Sequence, residues 1–347
     1  MSPLARARYL RSNVIAKTAA YTLTAADSGK TFTNLAATAG ITFTLPTARA
    51  NDNFHFICVV AYPMLVTAPA GVFIYQRGLK GLAAASTFLW QIGHSLRIIC
   101  DGTDWYVTDD TTAMEGDDRY VAYDNFLIRP GINADRDVPS GNTYNTVQMQ
   151  LGVDRSWNFE VVGTNSTSAT VTTRTGGGLT LTTTSGANDQ CVVTPHLNSA
   201  VSGWQGTNWA TDDSVYFRTT ARVGGSVASI IGWAGLKTTL TDVGITDNDQ
   251  AFFRFENAVT SGDWVTWTSI SGTDTTTDSA VVSAINTYYT FEILISPDRI
   301  ARLFMNRVLI YTTAALATGI NFIPYLGVRG ATKVMNFRDL YMSKVRA

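Results

Sequence analysis

The stretch YYTFEILISPDRIARLFMNRVLIYT (288–312) contains three apolar runs separated by two short turn signals. The runs are YYTFEILI, RIARLFM and VLIYT, and the turn signals are SPD and NR. In the first run, Tyr289, Phe291 and Ile293 fall on one side of an extended chain, whereas Glu292 falls on the other. Apolar runs of this length, joined by turn residues, predict three antiparallel strands in a meander.

The same pattern recurs along most of the chain and predicts an all-β protein. Threonine is abundant, which fits half-exposed strands because β-branched side chains pack well on a pleated sheet. Helix signals are weak, and the best candidate is a broken apolar stripe over residues 3–17. Further strand-like runs include ITFTLP (41–46), FHFICVV (54–60), SLRIICDG (95–102), SWNFEVV (156–162), SVYFRTTARV (214–223), AFFRFEN (251–257) and WVTWTSI (264–270).

Composition and charge argue against several classes of protein. The 347-residue chain is 45% hydrophobic and 15% charged, with a formal net charge of −1. Such a chain can bury a large core, and it has no overall positive charge to attract nucleic acid or anionic membrane. No apolar run is long enough to predict a membrane span. Arginines interrupt the apolar residues of the N-terminus, so we expect no signal peptide.

The three cysteines, Cys58, Cys100 and Cys191, are widely spaced and form no CxxC pair. Their odd number and spacing argue against a disulfide framework and against a zinc site. Cys58 and Cys100 lie in apolar strand-like runs, which predicts buried free thiols. Free thiols of this kind indicate folding in a reducing compartment.

The order of these patterns predicts an N-terminal arm and two β domains joined by a linker. Residues 1–19 form a basic arm, and residues 20–110 form a small β module that closes on the hairpin RIICDGTDWYV. Residues 111–144 are rich in Asp, Gly, Pro and Arg, which is typical of a linker or elbow. A second and longer set of strands occupies residues 145–347.

The first domain resembles a small β module found in bacteriophage fibre and virion-surface proteins. The resemblance rests on YTLTAADSGKTFTN (21–34), TFTLP (42–46) and DGTDWYV (101–107), while residues 70–85 show no matching pattern. It implies a protein of a phage particle, assembled in the host cytoplasm and located on the virion surface.

The second domain is similar to the concanavalin-A-like lectin/glucanase sandwich, a jelly roll. The resemblance rests on the stretch 288–312, on WVTWTS (264–269) and on YLGVRGATKVMNFRDLYMSKV (325–345). The tight turn departs from the family, which usually has Asn-Gly where this chain has Asn306-Arg307. Because arginine adopts positive φ only at a cost, we expect a different turn type there. The resemblance implies a fold rather than a function, since this fold is found in hydrolases, lyases, lectins and structural domains.

Few residues suggest catalysis, and we expect neither an enzyme nor a cofactor. Retaining glucanases of this class carry E-x-D-x-x-E on one strand, and that motif is absent. Glu256 is the best lone candidate among the four glutamates, with a solvent-facing strand residue as the alternative. No G-x-S-x-G nucleophile elbow exists. The segment TDVGITDNDQ (241–250) has oxygen ligands suited to Ca²⁺, but we expect a solvated loop and predict no metal site.

Tryptophans mark a candidate glycan site in the second domain. Trp204, Asn208, Trp209 and Asp212 lie in SGWQGTNWATDD, whose Gly, Asn and Asp predict a loop. Aromatic rings beside Asn and Asp suit the apolar face and the hydroxyls of a sugar. The alternative is that these rings fill the edge of the sandwich or a subunit interface.

A second tryptophan pair lies in the strand-like run WVTWTS. Trp264 and Trp267 are three residues apart, so they point to opposite faces of a strand. We expect one ring in the core and the other exposed or at an interface.

Together, the two resemblances imply a surface component of a bacteriophage virion. The favoured function is a non-enzymatic structural appendage, such as a tail fibre, head spike or capsid decoration protein, with the lectin-like domain facing outward. We expect a homotrimer bound to phage capsid or tail proteins. The alternatives are a receptor-binding protein for a host-surface glycan and a polysaccharide depolymerase.

The N-terminal arm is the expected virion-attachment segment, with a disordered tail as the alternative. We expect neither a nucleic-acid partner nor membrane insertion, because the four cations of the arm make a poor footprint for DNA. The candidate attachment residues are Arg6, Arg8, Tyr9, Leu10 and Arg11.

Overall fold

The computed structural model describes residues 13–60, 62–76, 79–80, 86–89, 92–110, 119–124, 131–133, 147–151, 157–162, 171–174, 177–194, 209–239, 247–256 and 262–345. The chain divides into two compact units, Met1–Gly116 with Arg307–Leu309, and Asp117–Asn306 with Ile310–Ala347. Within the described residues, helix is limited to two three-residue 3-10 turns, Ala25–Asp27 and Thr211–Asp213. The all-β prediction is confirmed.

The first unit is built from a seven-stranded and a four-stranded sheet. The larger sheet has the order β1-β3-β5-β10-β11-β7-β8, and the smaller has the order β2-β4-β6-β9. The strands are β1 (Val14–Ala16), β2 (Tyr21–Thr22), β3 (Thr31–Thr33), β4 (Ile41–Thr44), β5 (Asn53–Ile57), β6 (Met64–Thr67), β7 (Ile74–Gln76), β8 (Leu79–Lys80), β9 (Ser86–Leu89), β10 (Ser95–Cys100) and β11 (Trp105–Asp110).

Alternation along these strands sends aromatic rings into a core between the two sheets. Phe32 and Phe56 from the larger sheet meet Phe43 from the smaller one, with ring centroids 5.2–6.0 Å apart. The predicted hairpin joins β10 to β11, and its turn is held by Asp101, whose carboxylate accepts the backbone N–H groups of Thr103 and Asp104.

Two expectations about the N-terminal segment are corrected by β1. Val14–Ala16 is a strand parallel to β3, and Ile15 packs against the core of the unit. The predicted helix over residues 3–17 is therefore wrong in its described part, and the arm does not extend to residue 19. The reason is that β3 presents an edge with unpaired backbone groups, and two β-branched residues in VIA suit a strand there. Residues 1–12 lie outside the described part.

The second unit contains eighteen described strands. They are β12 (Arg119–Asp124), β13 (Gly131–Asn133), β14 (Val147–Leu151), β15 (Trp157–Val162), β16 (Val171–Thr173), β17 (Leu179–Thr182), β18 (Gln190–Thr194), β19 (Trp209–Ala210), β20 (Tyr216–Gly224), β21 (Ile231–Lys237), β22 (Gln250–Glu256), β23 (Asp263–Ile270), β24 (Thr273–Val282), β25 (Tyr289–Ile295), β26 (Ile300–Met305), β27 (Val308–Ala315), β28 (Asn321–Arg329) and β29 (Val334–Val345).

These strands form two large antiparallel sheets that face each other across one core. The eight-stranded sheet has the order β16-β17-β29-β20-β25-β26-β27, with β12 also paired to β29. The ten-stranded sheet has the order β13-β14-β15-β18-β28-β21-β22-β23-β24, with β19 also paired to β28. Alternate residues of both sheets, such as Phe291 and Phe253 with ring centroids 5.0 Å apart, meet between them. This is the jelly-roll type of β-sandwich that the sequence predicted.

The predicted meander forms β25, β26 and β27, but its second turn differs from the expectation. Asn306 has φ 49° and Arg307 has φ 68°, so both central residues are left-handed. This is the tight hairpin geometry usual for Asn-Gly, with arginine in the position of glycine. The expectation of another turn type was wrong, because the strand pairing on both sides outweighs the modest cost of positive φ at one arginine.

The predicted linker 111–144 is wrong in its described parts. Arg119–Asp124 is β12 and pairs with residues 340–345 of β29, while Gly131–Asn133 is β13 and pairs with β14. The pairing of β12 is explained by the free edge of β29. Since β17 pairs only with residues 334–337 of β29, the rest of that edge needs a second partner.

Candidate functional site

Two of the four residues of the predicted glycan site, Trp209 and Asp212, lie within the described part of the chain. Trp209 lies in β19, opposite Phe322, and its fully buried side chain is part of the core. The Gly and Asn residues around Trp209 predicted a loop. Instead, the ring lies in the core of the sandwich, which agrees with the alternative that these rings fill the edge of the sandwich. Asp212 is exposed and accepts the Gly319 N–H at 2.7 Å, which ties two loops together. Trp204 and Asn208, and the attachment residues Arg6, Arg8, Tyr9, Leu10 and Arg11, lie outside the described residues.

The outer face of the eight-stranded sheet carries the polar residues that alternation removes from the core. In β20, Phe217, Ala221 and Val223 belong to the core, so Thr220 and Arg222 point outward. Cross-strand pairing places Thr220 opposite Thr290 of β25. The same parity applies on each neighbouring strand, which brings side chains from distant parts of the sequence onto one surface.

A β-bulge in β29 adds one more side chain to this surface. Along β20, Thr220 is opposite Asp339 but Ala221 is opposite Phe337, so Arg338 is an extra residue in the ladder. A bulge re-aims the side chains on either side of it and is common at binding sites. Arg338 is exposed here.

Three guanidinium groups converge on the ring of Tyr288. The ring centroid lies 3.8 Å from Cζ of Arg338, 4.8 Å from Cζ of Arg222 and 5.8 Å from Cζ of Arg174. Arg174 also donates a hydrogen bond to the Tyr288 hydroxyl. We call Arg174, Arg222, Arg338 and Tyr288 the arginine cluster.

The described carboxylates do not pair with the arginine cluster. Among the described residues, none of its guanidinium groups lies within 4.0 Å of a carboxylate oxygen. Burial lowers the pKa of Arg222, and the charges of Arg174 and Arg338 lower it further. The Nε atom of Arg222 is buried, and no described residue accepts a hydrogen bond from it. The carboxylate of Asp339, next to Arg338, accepts the Thr220 N–H at 2.8 Å and lies 3.4 Å from Arg218.

Beside the arginine cluster, a row of hydroxyl and amide groups crosses four adjacent strands. Thr180 donates to Asn336 at 2.8 Å, and the hydroxyls of Thr220 and Thr290 lie 3.4 Å apart. The three threonines are half-buried, whereas Asn336 lies deeper, at 5% exposure. We call Thr180, Asn336, Thr220 and Thr290 the polar strip. Its groups donate and accept hydrogen bonds, as sugar hydroxyls do.

Further along the same sheet, polar side chains are bound to each other. Tyr216 donates a hydrogen bond of 2.5 Å to Glu292, and its ring meets Tyr341 edge-on at 5.9 Å. Arg218 lies over Tyr341, 5.3 Å from the ring centroid. Tyr216, Tyr341 and Glu292 are each less than 7% exposed. This part of the face therefore contributes to stability, while the arginine cluster and the three threonines of the polar strip are the accessible part.

The outer side of the ten-stranded sheet has a different character. Trp233 stacks on Tyr325 at 5.7 Å, and Phe252 lies parallel to Trp267 at 6.4 Å. Except for the half-buried Trp267, these rings are buried. Gly327 makes room for the stack, since a Cβ atom there would come within 2.6 Å of the Trp233 ring. We call Trp233, Tyr325, Phe252 and Trp267 the aromatic face.

Charged side chains already cover two rings of the aromatic face. Arg254 lies 4.4 Å from the centroid of Trp267 and pairs with Glu256, and Lys237 lies 4.9 Å from the centroid of Tyr325. The predicted division of the tryptophan pair is confirmed, since Trp264 is fully buried in the core while Trp267 is half-buried on the outer side.

Several candidate reactive residues have structural roles. Asp247 was expected in a solvated loop but is buried, and it accepts hydrogen bonds from the backbone and hydroxyl groups of Thr238 and Thr239. Residues 241–246 lie outside the described part. The predicted free, buried cysteines are confirmed, and burial raises the pKa of the Cys58 thiol to about 11. The described residues contain no group of three or more His, Cys, Asp or Glu side chains arranged to hold a metal ion.

Among the described segments, no helix has the length and apolar character required to span a membrane.

Comparison with known proteins identifies similar folds at low identity. A protein of unknown function from Shewanella oneidensis MR-1 is 13% identical, with a TM-score of 0.38 over 66% of this chain and 89% of that chain. The alginate lyase A1-II′, of polysaccharide lyase family 7, is 14% identical, with a TM-score of 0.40 over 52% and 86%. The carbohydrate recognition domain of Emp46p is 12% identical, with a TM-score of 0.38 over 50% and 84%. No protein-family profile and no curated protein matches the sequence.

The arginine cluster and the polar strip were not predicted from the sequence. The run SVYFRTTARV contains one available signal, because Arg218, Thr220 and Arg222 alternate with apolar residues and must share an outer face. The sequence does not show that Arg174, Tyr288 and Arg338 meet there, since this depends on strand order and on the bulge.

Proposed function

We propose that this chain is a non-enzymatic bacteriophage virion-surface protein whose sandwich binds a host-surface glycan. The observation that carries the glycan part is the polar strip beside Tyr288, on the accessible part of the eight-stranded sheet. Hydroxyl and amide groups held by strands keep fixed positions, so they are organised before a ligand arrives. An aromatic ring next to them matches the mixed apolar and polar surface of a sugar.

The phage assignment is supported by the resemblance of residues 21–34, 42–46 and 101–107 to modules of fibre and virion-surface proteins. We propose that the N-terminal region binds phage capsid or tail proteins, with the sandwich facing outward. We further propose a homotrimer. Its support is the exposure of apolar side chains at the end of β24, where Val282 is 66% and Ile285 is 46% exposed.

The non-enzymatic part is supported by the environment of Glu292 on β25 and of Asp339 on β29, two carboxylates of the eight-stranded sheet. Glu292 is 6% exposed and bonded to Tyr216, and Asp339 is held by Thr220 and Arg218. Both carboxylates are thus engaged by groups of their own sheet. A glycosidase needs one carboxylate positioned as an acid and another positioned as a base or nucleophile toward the substrate.

The decisive test of glycan binding removes the hydroxyls of the polar strip without changing its shape. The full chain and its Thr220→Val/Thr290→Val variant are applied to an array of bacterial surface glycans, with Thr276→Val on the exposed strand β24 as the control. We expect the wild type and the control to bind a common glycan and the double variant to bind it about tenfold more weakly. Equal binding by the double variant, or no binding by the wild type, would overturn the proposal.

The virion part is tested separately by immunogold labelling of intact particles. We expect label on the particle surface, and its position assigns the protein to the head or the tail. Light scattering of the purified chain checks the trimer. A monomer that is absent from particles would contradict a structural role in the virion, whatever the glycan array shows.

A further inference from the structure

The arginine cluster holds like charges together at an energetic cost. Arg174, Arg222 and Arg338 surround one ring, and the ring has no net charge to compensate them. Cation–π attraction to Tyr288 offsets part of the repulsion, but a single ring offers only two faces to three cations. The described part of the chain supplies no carboxylate within 4.0 Å of these groups.

An independent observation is that one donor of the cluster is buried without a partner among the described residues. Nε of Arg222 has no acceptor in the part of the chain that the structure describes, although the NH1 group of Arg222 donates to the backbone carbonyl of Asn286 at 3.3 Å. Buried donors in folded proteins nearly always have acceptors, so an exception needs an explanation. A bound oxyanion would supply this acceptor and the missing negative charge together.

The cluster is also held in place by the sheet. Arg222 and Arg338 belong to the paired strands β20 and β29, Arg174 follows β16 directly, and Tyr288 precedes β25 directly. The bulge in β29 places Arg338 on this face. Guanidinium groups on strands present planar, paired donors that match the oxygens of carboxylate, sulfate and phosphate groups.

We infer that the arginine cluster is an anion-binding subsite that receives the acidic group of the host glycan, a carboxylate, sulfate or phosphate. This inference rests on the proposed glycan-binding function and specifies its ligand as an acidic polysaccharide. The polar strip contacts the hydroxyls of the same ligand, and the cluster selects for its charge. A nucleic acid is less favoured, because the chain as a whole has a net charge of −1.

Isothermal titration calorimetry of the full chain tests the inference with matched probes. The probes are a galacturonic-acid oligosaccharide, its carboxyl-reduced neutral counterpart, a sulfated oligosaccharide, inorganic phosphate and a single-stranded oligonucleotide. The variants are Arg222→Gln, Arg338→Gln and Arg338→Lys. Arg329→Gln, on the ten-stranded sheet, removes the same charge from a different place and is the matched control.

We expect at least one acidic oligosaccharide to bind and its neutral counterpart to bind about tenfold more weakly or not at all. Arg222→Gln and Arg338→Gln lower the affinity for the acidic probe about tenfold, Arg338→Lys lowers it less, and Arg329→Gln leaves it unchanged. The acidic oligosaccharide that binds most tightly separates carboxylate from sulfate recognition. Binding of phosphate alone would identify a free-anion site.

The failures of the two proposals can be distinguished. If the neutral and acidic oligosaccharides bind equally and the arginine variants match the wild type, the anion subsite is refuted while glycan binding stands. If no oligosaccharide binds but phosphate binding depends on Arg222 and Arg338, the anion site stands and the glycan function fails. Tightest binding to the oligonucleotide would overturn both. An equal loss with Arg329→Gln would show a nonspecific charge effect and would also refute the subsite.

Discussion

The two outer faces of the sandwich obey the same alternation but differ in chemistry. On the eight-stranded sheet, alternation exposes the arginine cluster and the threonines of the polar strip, none of which forms an ion pair with a described residue. On the ten-stranded sheet, it produces the aromatic face, where Trp233 and Tyr325 are as buried as any core residue. Alternation therefore decides which side of a sheet a residue occupies, whereas the neighbouring side chains decide whether it is available to a ligand.

The difference separates residues that stabilise the fold from residues that are available for binding. Stacked rings covered by the side chains of Lys237 and Arg254 remove apolar surface from water, which stabilises the fold. The three arginines around Tyr288 destabilise the fold, because their positive charges repel one another. We therefore expect substitutions on the aromatic face to change stability and those in the arginine cluster to change binding.

The largest expected effect tests this division directly. Trp233→Ala removes a fully buried ring and should lower the free energy of unfolding by about 3–5 kcal/mol. Arg222→Ala, on the opposite face, should cost less than about 1 kcal/mol. Urea denaturation of the two variants in parallel measures both values. Similar losses for the two variants would show that the faces do not differ in this way.

A smaller effect is expected where the aromatic face meets the sheet. Gly327→Ala places a methyl group against the Trp233 ring and should cost about 1–3 kcal/mol. In the Trp233→Ala background the same change should cost almost nothing, because the ring is gone. Denaturation of the four proteins of this double-mutant cycle gives the coupling. An equal cost in both backgrounds would indicate that Gly327 is required by its own backbone and not by the space that the Trp233 ring needs.

The smallest effect concerns how the free energy of unfolding depends on pH through Asp339. Burial raises the pKa of Asp339 above its ordinary value, although Arg218 and the Thr220 N–H oppose the rise. The folded protein then keeps this proton to a higher pH than the unfolded chain. The stability contributed by Asp339 is therefore greatest at low pH and is lost as the pH rises through the folded-state pKa.

Asp339→Asn keeps an acceptor for the Thr220 N–H and removes the charge. We expect it to raise the free energy of unfolding at pH 7, by less than about 1 kcal/mol, and to leave it nearly unchanged near pH 3. Urea denaturation at the two pH values checks this. A variant less stable than the wild type at pH 7 would show that the ion pair with Arg218 outweighs the cost of burial.

The sequence predicted the fold well because strand periodicity and turn residues are local signals. The meander of β25 to β27, the hairpin at Asp101 and the opposite orientations of Trp264 and Trp267 follow from a few neighbouring residues. Local signals were misleading where a distant partner decided the outcome. Thus the sequence predicts a linker at β12, whose partner lies more than two hundred residues later. It also predicts a loop at Trp209, whose place in the core depends on pairing with β28.

The candidate site was not predictable for the same reason. Arg174, Arg222, Tyr288 and Arg338 are brought together by strand order, which composition does not encode. The sequence NFRDLYM predicted a final strand correctly. Its spacing of three between Phe337 and Leu340, both core residues, was the one local sign of the bulge.

Because of that bulge, Arg338 is a residue that the ladder between β20 and β29 does not need. Met335 and Phe337 point into the core before it, and Leu340 and Met342 do so after it. Deleting one residue at this point would restore an unbroken alternation, so both halves of β29 could pair with β20 in a regular ladder. Loss of a single codon would therefore remove one positive charge from this surface and leave the pairing of β20 with β29 intact.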